Sequence, residues 1–504
     1  MTRRAAFVAV VALVVAAPVL AAAGAQTFGN TEPLAAKQWY LEQDHAWESW
    51  AYPPQLPEVK VAVIDSGIDA HHPEFVGQIA AGHSFVPGVS WRVDTDGHGT
   101  FVAGLIAANP FNGVGIAGLG FNVKLLIAKV VDSSGAVLSL TAETDAIYWA
   151  VAQGARVINL SLGGLRDPGD SMLDSYSALE RKAIEYATSK GVLVVAAVGN
   201  GTEAPRIPWG YADYPAALPH VLGVAALRQD GSVPDYSDRD PIYVDMAAPG
   251  DGIFSTLARN LIDKTRPECA GDAYSECGPP EFHEGIGTSF AAPQVAAAAA
   301  LLFGVDPTLT PDQVQWVLER FAKDVSPLNG CPRCLYGRDA MTGWGRLDVA
   351  AAVRMVTKHT GLPTPDAFEP NDDAGSGVAG AHPFGPPGTI TASLDYWDDP
   401  IDVYSVRLTK GEAFYARLSG IAHATTSLIL WDPATGGLEG VRAKTGRLVS
   451  ASAVVGIQQR LSYRAGVAGI YYLQVTVGTP PRIRGVMPYH LSVATEPAAP
   501  AAKK

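Results

Sequence analysis

Val59-Lys-Val-Ala-Val-Ile-Asp-Ser-Gly-Ile-Asp69 sets a nearly unbroken apolar run against an aspartate and a glycine turn. A strand with one wet face alternates apolar and polar residues. A run this continuous implies burial on both faces, as in a parallel sheet covered by helices. Val123-Lys-Leu-Leu-Ile-Ala128, Val157-Ile-Asn-Leu160 and Val192-Leu-Val-Val-Ala-Ala197 repeat the pattern. Between them, residues 99–108, 140–153 and 173–190 carry helical spacing. Further helices are expected over 289–303, where alanine dominates, and over 311–321, where Thr310 precedes Pro311 as an N-cap. The expected fold is α/β, a parallel sheet with helices on both faces.

Three segments carry chemistry. The opening stretch places Asp65 at the end of a buried strand. Asp94-Thr-Asp-Gly-His-Gly-Thr100 places His98 where a helix begins, and Gly285-Ile-Gly-Thr-Ser-Phe-Ala-Ala-Pro293 places Ser289 at another helix start. In open parallel sheets such positions share the carboxyl edge of the strands. A serine hydroxyl is a poor nucleophile at neutral pH until an imidazole takes its proton, and a buried carboxylate keeps that imidazole in the right tautomer. A helix N-terminus also offers N–H groups and a positive dipole end to a developing oxyanion.

In sequence and chain order these segments resemble the Asp, His and Ser signatures of the subtilisin family. The resemblance implies a fold with a subtilisin-like sheet. It also implies a serine endopeptidase in which Asp65 orients, His98 is general base and then acid, and Ser289 is the nucleophile, with no cofactor needed for chemistry. Val194-Val-Ala-Ala-Val-Gly-Asn200 resembles the family strand whose terminal Asn donates to the oxyanion. Ser161-Leu162-Gly163-Gly164 resembles the segment that pairs with extended substrate and walls the P1 side-chain pocket, S1, and Gly135-Ala-Val-Leu138 resembles the opposite clamp. Asp213 lies directly before Tyr214-Pro215, which resembles the segment closing S1, where a carboxylate favours Lys or Arg at P1; the alternative is an exposed loop aspartate.

The chain also departs from the family pattern. Phe101 stands where many relatives have a second histidine, and Phe290 where methionine is usual. Residues 257–284, with two cysteines, read as an insertion before the nucleophile. The stretch 26–56 leaves no room for a folded inhibitor propeptide, so folding without one is expected. Glu74 and the loop 109–116 resemble a family calcium site, but Pro110-Phe111 interrupts its polar run; structural calcium is left open.

At 504 residues, two domains are expected, and with only 17% charged residues the chain has the apolar content for a large core. A net charge of −13 argues against nucleic acid or an anionic membrane as main partner; the family resemblance implies polypeptide substrates, and a monomer is expected. Arg3, Arg4, a short apolar run and Ala23-Gly24-Ala25 read as an export signal over 1–25, so the mature protein is expected to be secreted, extracellular or periplasmic. The alternative, a membrane anchor, has neither the length nor the flanks. Four cysteines in an oxidising compartment are disulfide candidates, Cys269 with Cys277 and Cys331 with Cys334 being the local pairings. Zinc at Cys331-Pro-Arg-Cys334 is the alternative.

The remaining divisions are an N-terminal strap over 26–56, a catalytic domain over 57–358, a Pro- and Asp-rich linker over 359–370 and short alternating strands over 371–495. These last are spaced like a β-sandwich. A disordered tail follows over 496–504. Glu369-Pro-Asn-Asp-Asp373, Asp402-Val-Tyr-Ser-Val406 and Gly469-Ile-Tyr-Tyr-Leu-Gln-Val475 resemble bacterial pre-peptidase C-terminal domains. Acidic loops at Asp372, Asp373, Asp398 and Asp399 are read as calcium ligands or as solvated turns. Two further functional readings stay open: a catalytically silent binding scaffold, and a processing protease with basic P1 preference.

Overall fold

The computed structural model describes residues 29–50, 55–132, 137, 139–261, 281–358, 362, 366–369, 371–375, 380–394, 401–420, 425–436, 438, 447–453, 458–477 and 486–497. Its first half begins with helix α1 (Trp39–Gln43), strands β1 (Val59–Asp65) and β2 (Ile79–Ser84), and helix α2 (His98–Ala107). There follow β3 (Val123–Lys129), α3 (Leu140–Ala152), β4 (Val157–Leu160), α4 (Ala178–Ser189), β5 (Leu193–Ala197), β6 (Val221–Leu227) and β7 (Met246–Pro249). A hairpin-like pair, β8 (Asp251–Thr256) and β9 (Phe282–Ile286), leads to α5 (Thr288–Val305), α6 (Pro311–Arg320) and α7 (Val349–Lys358).

Seven strands form one parallel sheet in the order β2-β3-β1-β4-β5-β6-β7. The period of two along β1 explains why both faces need helices. Val59, Val61 and Val63 enter a core shared with α2 and α5, whereas Ala62 and Ile64 enter a second core with α3 and α4. In length and hydropathy α5 qualifies as a membrane span, yet 89% of that window is buried inside the protein. Its alanines let it lie close against the sheet as a core helix.

Local chemistry sets the helix ends. Thr310 forms a capping box with Gln313 ahead of α6, as its sequence predicts. The helix expected from residue 173 instead starts at Ala178. Ser177 Oγ caps it by accepting from the Leu179 and Glu180 N–H groups, while Asp170 and Asp174 fasten the preceding residues into turns. Edge strand β2 was not foreseen, because its half-exposed residues lack the apolar run of the central strands. The strap residues 39–41 enter α1 directly after Gln38, tied down by Gln38 Nε2 to the Ala117 carbonyl and Tyr40 OH to the Phe254 carbonyl. Cys331 and Cys334 are joined by a disulfide, which replaces the zinc alternative; Cys269 and Cys277 lie outside the described residues.

The second half is all β. Its strands are β10 (His382–Pro383), β11 (Gly388–Leu394), β12 (Ile401–Leu408), β13 (Ala413–Ser419), β14 (Thr426–Trp431), β15 (Arg447–Ala453), β16 (Gln459–Arg464), β17 (Gly469–Val477) and β18 (Met487–Glu496). They form a five-stranded sheet, β10-β12-β17-β14-β15, and a four-stranded sheet, β11-β18-β13-β16. Along β18, Met487, Tyr489, Leu491 and Val493 are buried in the common core while the residues between them face outward, the alternation a β-sandwich requires. At its entry, Asp372 Oδ2 lies 2.7 Å from His220 Nε2 and Asp373 Oδ2 3.2 Å from Arg181 Nη1, tying it to the α/β half. Asp398 and Asp399 lie outside the described residues.

Candidate active site

Asp65 is the last residue of β1, His98 the first of α2 and Ser289 the second of α5. Both carboxylate oxygens of Asp65 lie 2.9 Å from His98 Nδ1. The Asp65 side chain is 2% exposed and the imidazole 23%, so the pair opens to solvent on the His98 side. A carboxylate at Nδ1 makes that nitrogen the protonated one and leaves Nε2 as an acceptor. Burial pushes the imidazole down, but the charge and hydrogen bond of Asp65, joined by Asp96 and Asp94, outweigh it and raise His98 to about 9.

The start of α2 is organised by Asp94, a buried residue with no role in the sequence reading. Its Oδ1 accepts from the Asp96 and Gly97 N–H groups and from Ser66 Oγ, and its Oδ2 accepts from Thr100 N–H and Oγ1. Ser66 Oγ in turn accepts from Gly99 N–H. One carboxylate thus binds the His98 turn to the residue after Asp65. Lys129, fully buried at the end of β3, donates to the Ser66 carbonyl. Burial lowers its pKa, opposed by Asp94, Asp65 and Asp96.

Ser289 is held from the β4 side. Pro293 has no N–H, so the Ser289 carbonyl four residues earlier lacks its helical donor. Ser161 Oγ supplies one at 2.8 Å, and Ser289 Oγ donates to the Ser161 carbonyl at 3.2 Å. In this rotamer the hydroxyl faces Ser161 rather than His98. The His98 ring stands 5.6 Å from the ring of Phe290, the residue after Ser289, and the Phe101 ring lies 4.3 Å from that of Phe290. The two departures from the family pattern therefore contact each other, as an apolar wall beside the imidazole.

Asn200 follows β5. Its Oδ1 accepts from both N–H and Oγ1 of Thr288, each at 2.9 Å. An amide N–H must meet an oxygen, so this contact orients the amide and turns Nδ2 away from Thr288. A Cβ placed on Gly287 would stand 3.6 Å from Asn200 Nδ2 and 3.7 Å from the Ser289 nitrogen. Two donors thus border a space that only glycine, here at φ 148°, leaves open.

Of the substrate-binding candidates, Ser161 touches Ser289, Leu162 is half-buried and Gly163 is exposed. Gly164 exchanges two 2.9 Å backbone hydrogen bonds with Tyr214, which brings Asp213 behind this segment. Gly135 lies outside the described residues. At the candidate calcium loop, Glu74 Oε1 accepts from Ile116 N–H and Oε2 from Asn112 Nδ2. Each oxygen of this carboxylate thus accepts one hydrogen bond from the loop, which holds Glu74 against residues 112–116. Among the described residues no group of three or more His, Cys, Asp or Glu is placed to hold a metal.

The model of the subtilase (peptidase S8) family matches residues 57–345, more than half of the chain. Thermitase of Thermoactinomyces vulgaris is 36% identical over 244 residues, which cover 48% of this chain and 74% of thermitase. Subtilisin DY of Bacillus licheniformis is 35% identical over 258 residues, 51% of this chain and 81% of that protein. The cell wall-associated protease of Bacillus subtilis (strain 168) is 32% identical over 320 residues, 59% of this chain but only 31% of that longer protein. The chain belongs to the subtilase family and is a subtilisin-type serine protease.

Proposed function

We propose that the protein is a secreted endopeptidase that cleaves polypeptides through an acyl-enzyme on Ser289. The observation that carries this reading is the Asp65–His98 pair, with both carboxylate oxygens 2.9 Å from Nδ1, beside a serine at a helix N-terminus. In this mechanism Ser289 Oγ turns from Ser161 toward His98 and attacks the scissile carbonyl carbon while Nε2 takes its proton. The oxyanion receives hydrogen bonds from Ser289 N–H and Asn200 Nδ2, and Asp65 stabilises the imidazolium. Collapse breaks the C–N bond as Nε2–H protonates the leaving amine. Water, deprotonated by His98, then releases the acyl group and restores Ser289.

Extracellular action is supported by the leader-like residues 1–25 and by the similarity to a cell wall-associated protease. The C-terminal sandwich, in this reading, serves secretion, stability or substrate adhesion. Casein digestion by the wild type and by Ser289→Ala, with fluorophosphonate labelling of both, tests the proposal. Hydrolysis and labelling by the wild type alone are expected. Equal hydrolysis and labelling by the two proteins would refute the role of Ser289, and inactivity of both would favour a binding scaffold.

A further inference from the structure

The geometry points to Asp213 and Asp238 as a two-carboxylate floor of the P1 pocket that selects lysine or arginine. This deepens the reading above, and rests on it together with the substrate segment Ser161–Gly164 that the family resemblance implies.

Both aspartates are pinned to the turn that carries Asn200. Asp213 N–H donates to the Val198 carbonyl at 2.8 Å, and Asp238 N–H to the Gly199 carbonyl at 3.1 Å. Their side chains converge under that turn: a Cβ on Gly199 would meet Asp238 Oδ2 at 2.3 Å and Asp213 Oδ2 at 2.4 Å. On the opposite side, a Cβ on Gly163 would stand 3.7 Å from Asp213 Cβ. The pair therefore lies between the segment that touches Ser289 and the turn that presents Asn200.

Among the described residues neither carboxylate forms an ion pair. Oδ1 of Asp213 and Oδ1 of Asp238 are both buried without a hydrogen-bond partner, and Asp238 is fully buried. Asp238 Oδ2 accepts only a 3.2 Å bond from Gly201 N–H. The nearby guanidinium groups hold other partners, Arg166 with Asp240 at 2.8 Å and Arg239 with Asp235 at 3.1 Å, and Arg239 reaches Asp238 only through its charge, which pulls that carboxyl down. Glu203 adds further negative potential at Asp213. Burial raises Asp213 to about 7; burial together with the charge of Asp213 raises Asp238 to about 8. An incoming ammonium or guanidinium stabilises the charged carboxylates and supplies donors to the orphaned oxygens.

A metal ion is served less well, since hard cations such as calcium take six to eight oxygens, whereas a third carboxylate or imidazole is missing among the described residues. Two carboxylates match the donor fork of a guanidinium.

The test measures kcat/KM on peptides differing only at P1 (Arg, Lys, Phe, Leu) for the wild type, Asp213→Asn and Asp238→Asn. Fluorophosphonate labelling counts active Ser289 in each. The wild type is expected to favour Arg and Lys over Phe by about tenfold or more, and each variant to lower the Arg/Phe ratio by about tenfold. Benzamidine is expected to inhibit the wild type more strongly than either variant, which reads the pocket even where one variant folds poorly. Equal or better turnover of Phe and Leu by labelled wild type would overturn the proposal, as would loss of basic preference on adding EDTA. Absence of both labelling and turnover would instead count against the protease reading itself.

Discussion

Asn200→Asp separates the two jobs assigned to one amide. In the wild type, Oδ1 holds Thr288 through two 2.9 Å hydrogen bonds, while Nδ2 is the proposed oxyanion donor. Aspartate keeps acceptors for Thr288 but removes the donor and places negative charge beside the developing oxyanion. Loss of one such donor raises the barrier by about 3 kcal/mol, so kcat is expected to fall by at least ~10²-fold with little change in KM. Asn200→Ala loses the donor as well, and also leaves the Thr288 N–H and hydroxyl unsatisfied, costing about 1–3 kcal/mol of stability. Steady-state kinetics on a chromogenic peptide, paired with urea unfolding, distinguish the two. The expected pattern is a comparable kcat loss in both variants but destabilisation in Asn200→Ala alone. A kcat for Asn200→Asp within about threefold of wild type would refute the placement of Nδ2 at the oxyanion.

Gly287→Ala forces a Cβ onto a backbone at φ 148° and into the space bordered by both donors. It is expected to lower kcat and to cost about 1–3 kcal/mol in thermal or urea unfolding. Because His98 must be neutral to accept the Ser289 proton and is raised to about 9, kcat/KM in the free enzyme is expected to climb with pH up to that region. A pH profile flat from 6 to 9 would contradict it. Asp372→Asn removes a carboxylate 2.7 Å from buried His220, whose pKa burial pushes down but Asp372 and Asp312 push well up. A raised native pKa means the stabilisation is fully present below the unfolded value near 6.5 and is lost as pH rises through the native one. The variant is therefore expected to lose about 3 kcal/mol below pH 6.5 by calorimetry, with the deficit shrinking in alkali. A deficit independent of pH would rule out the ion pair as its cause.

The sequence by itself was enough for the fold class and the three candidate catalytic residues. Continuous apolar runs such as residues 59–64 announce a sheet buried on both faces, and Asp65, His98 and Ser289 each sit within extended motifs at element ends. Such features depend on local period and chain direction, which neighbouring residues encode. Helix starts were legible where the cap was adjacent, as at Thr310, and misread where turn-forming aspartates shortened the element, as before Ser177. Contacts across the fold were decided only by the tertiary structure. Ser161 reaches a carbonyl that Pro293 leaves free, Asn200 is oriented by Thr288, and Asp238 converges on Asp213 under Gly199. Each of those meetings depends on strand register and on the depth to which two turns pack. No local pattern records these, because the residues involved are distant in sequence and their types are ordinary in loops.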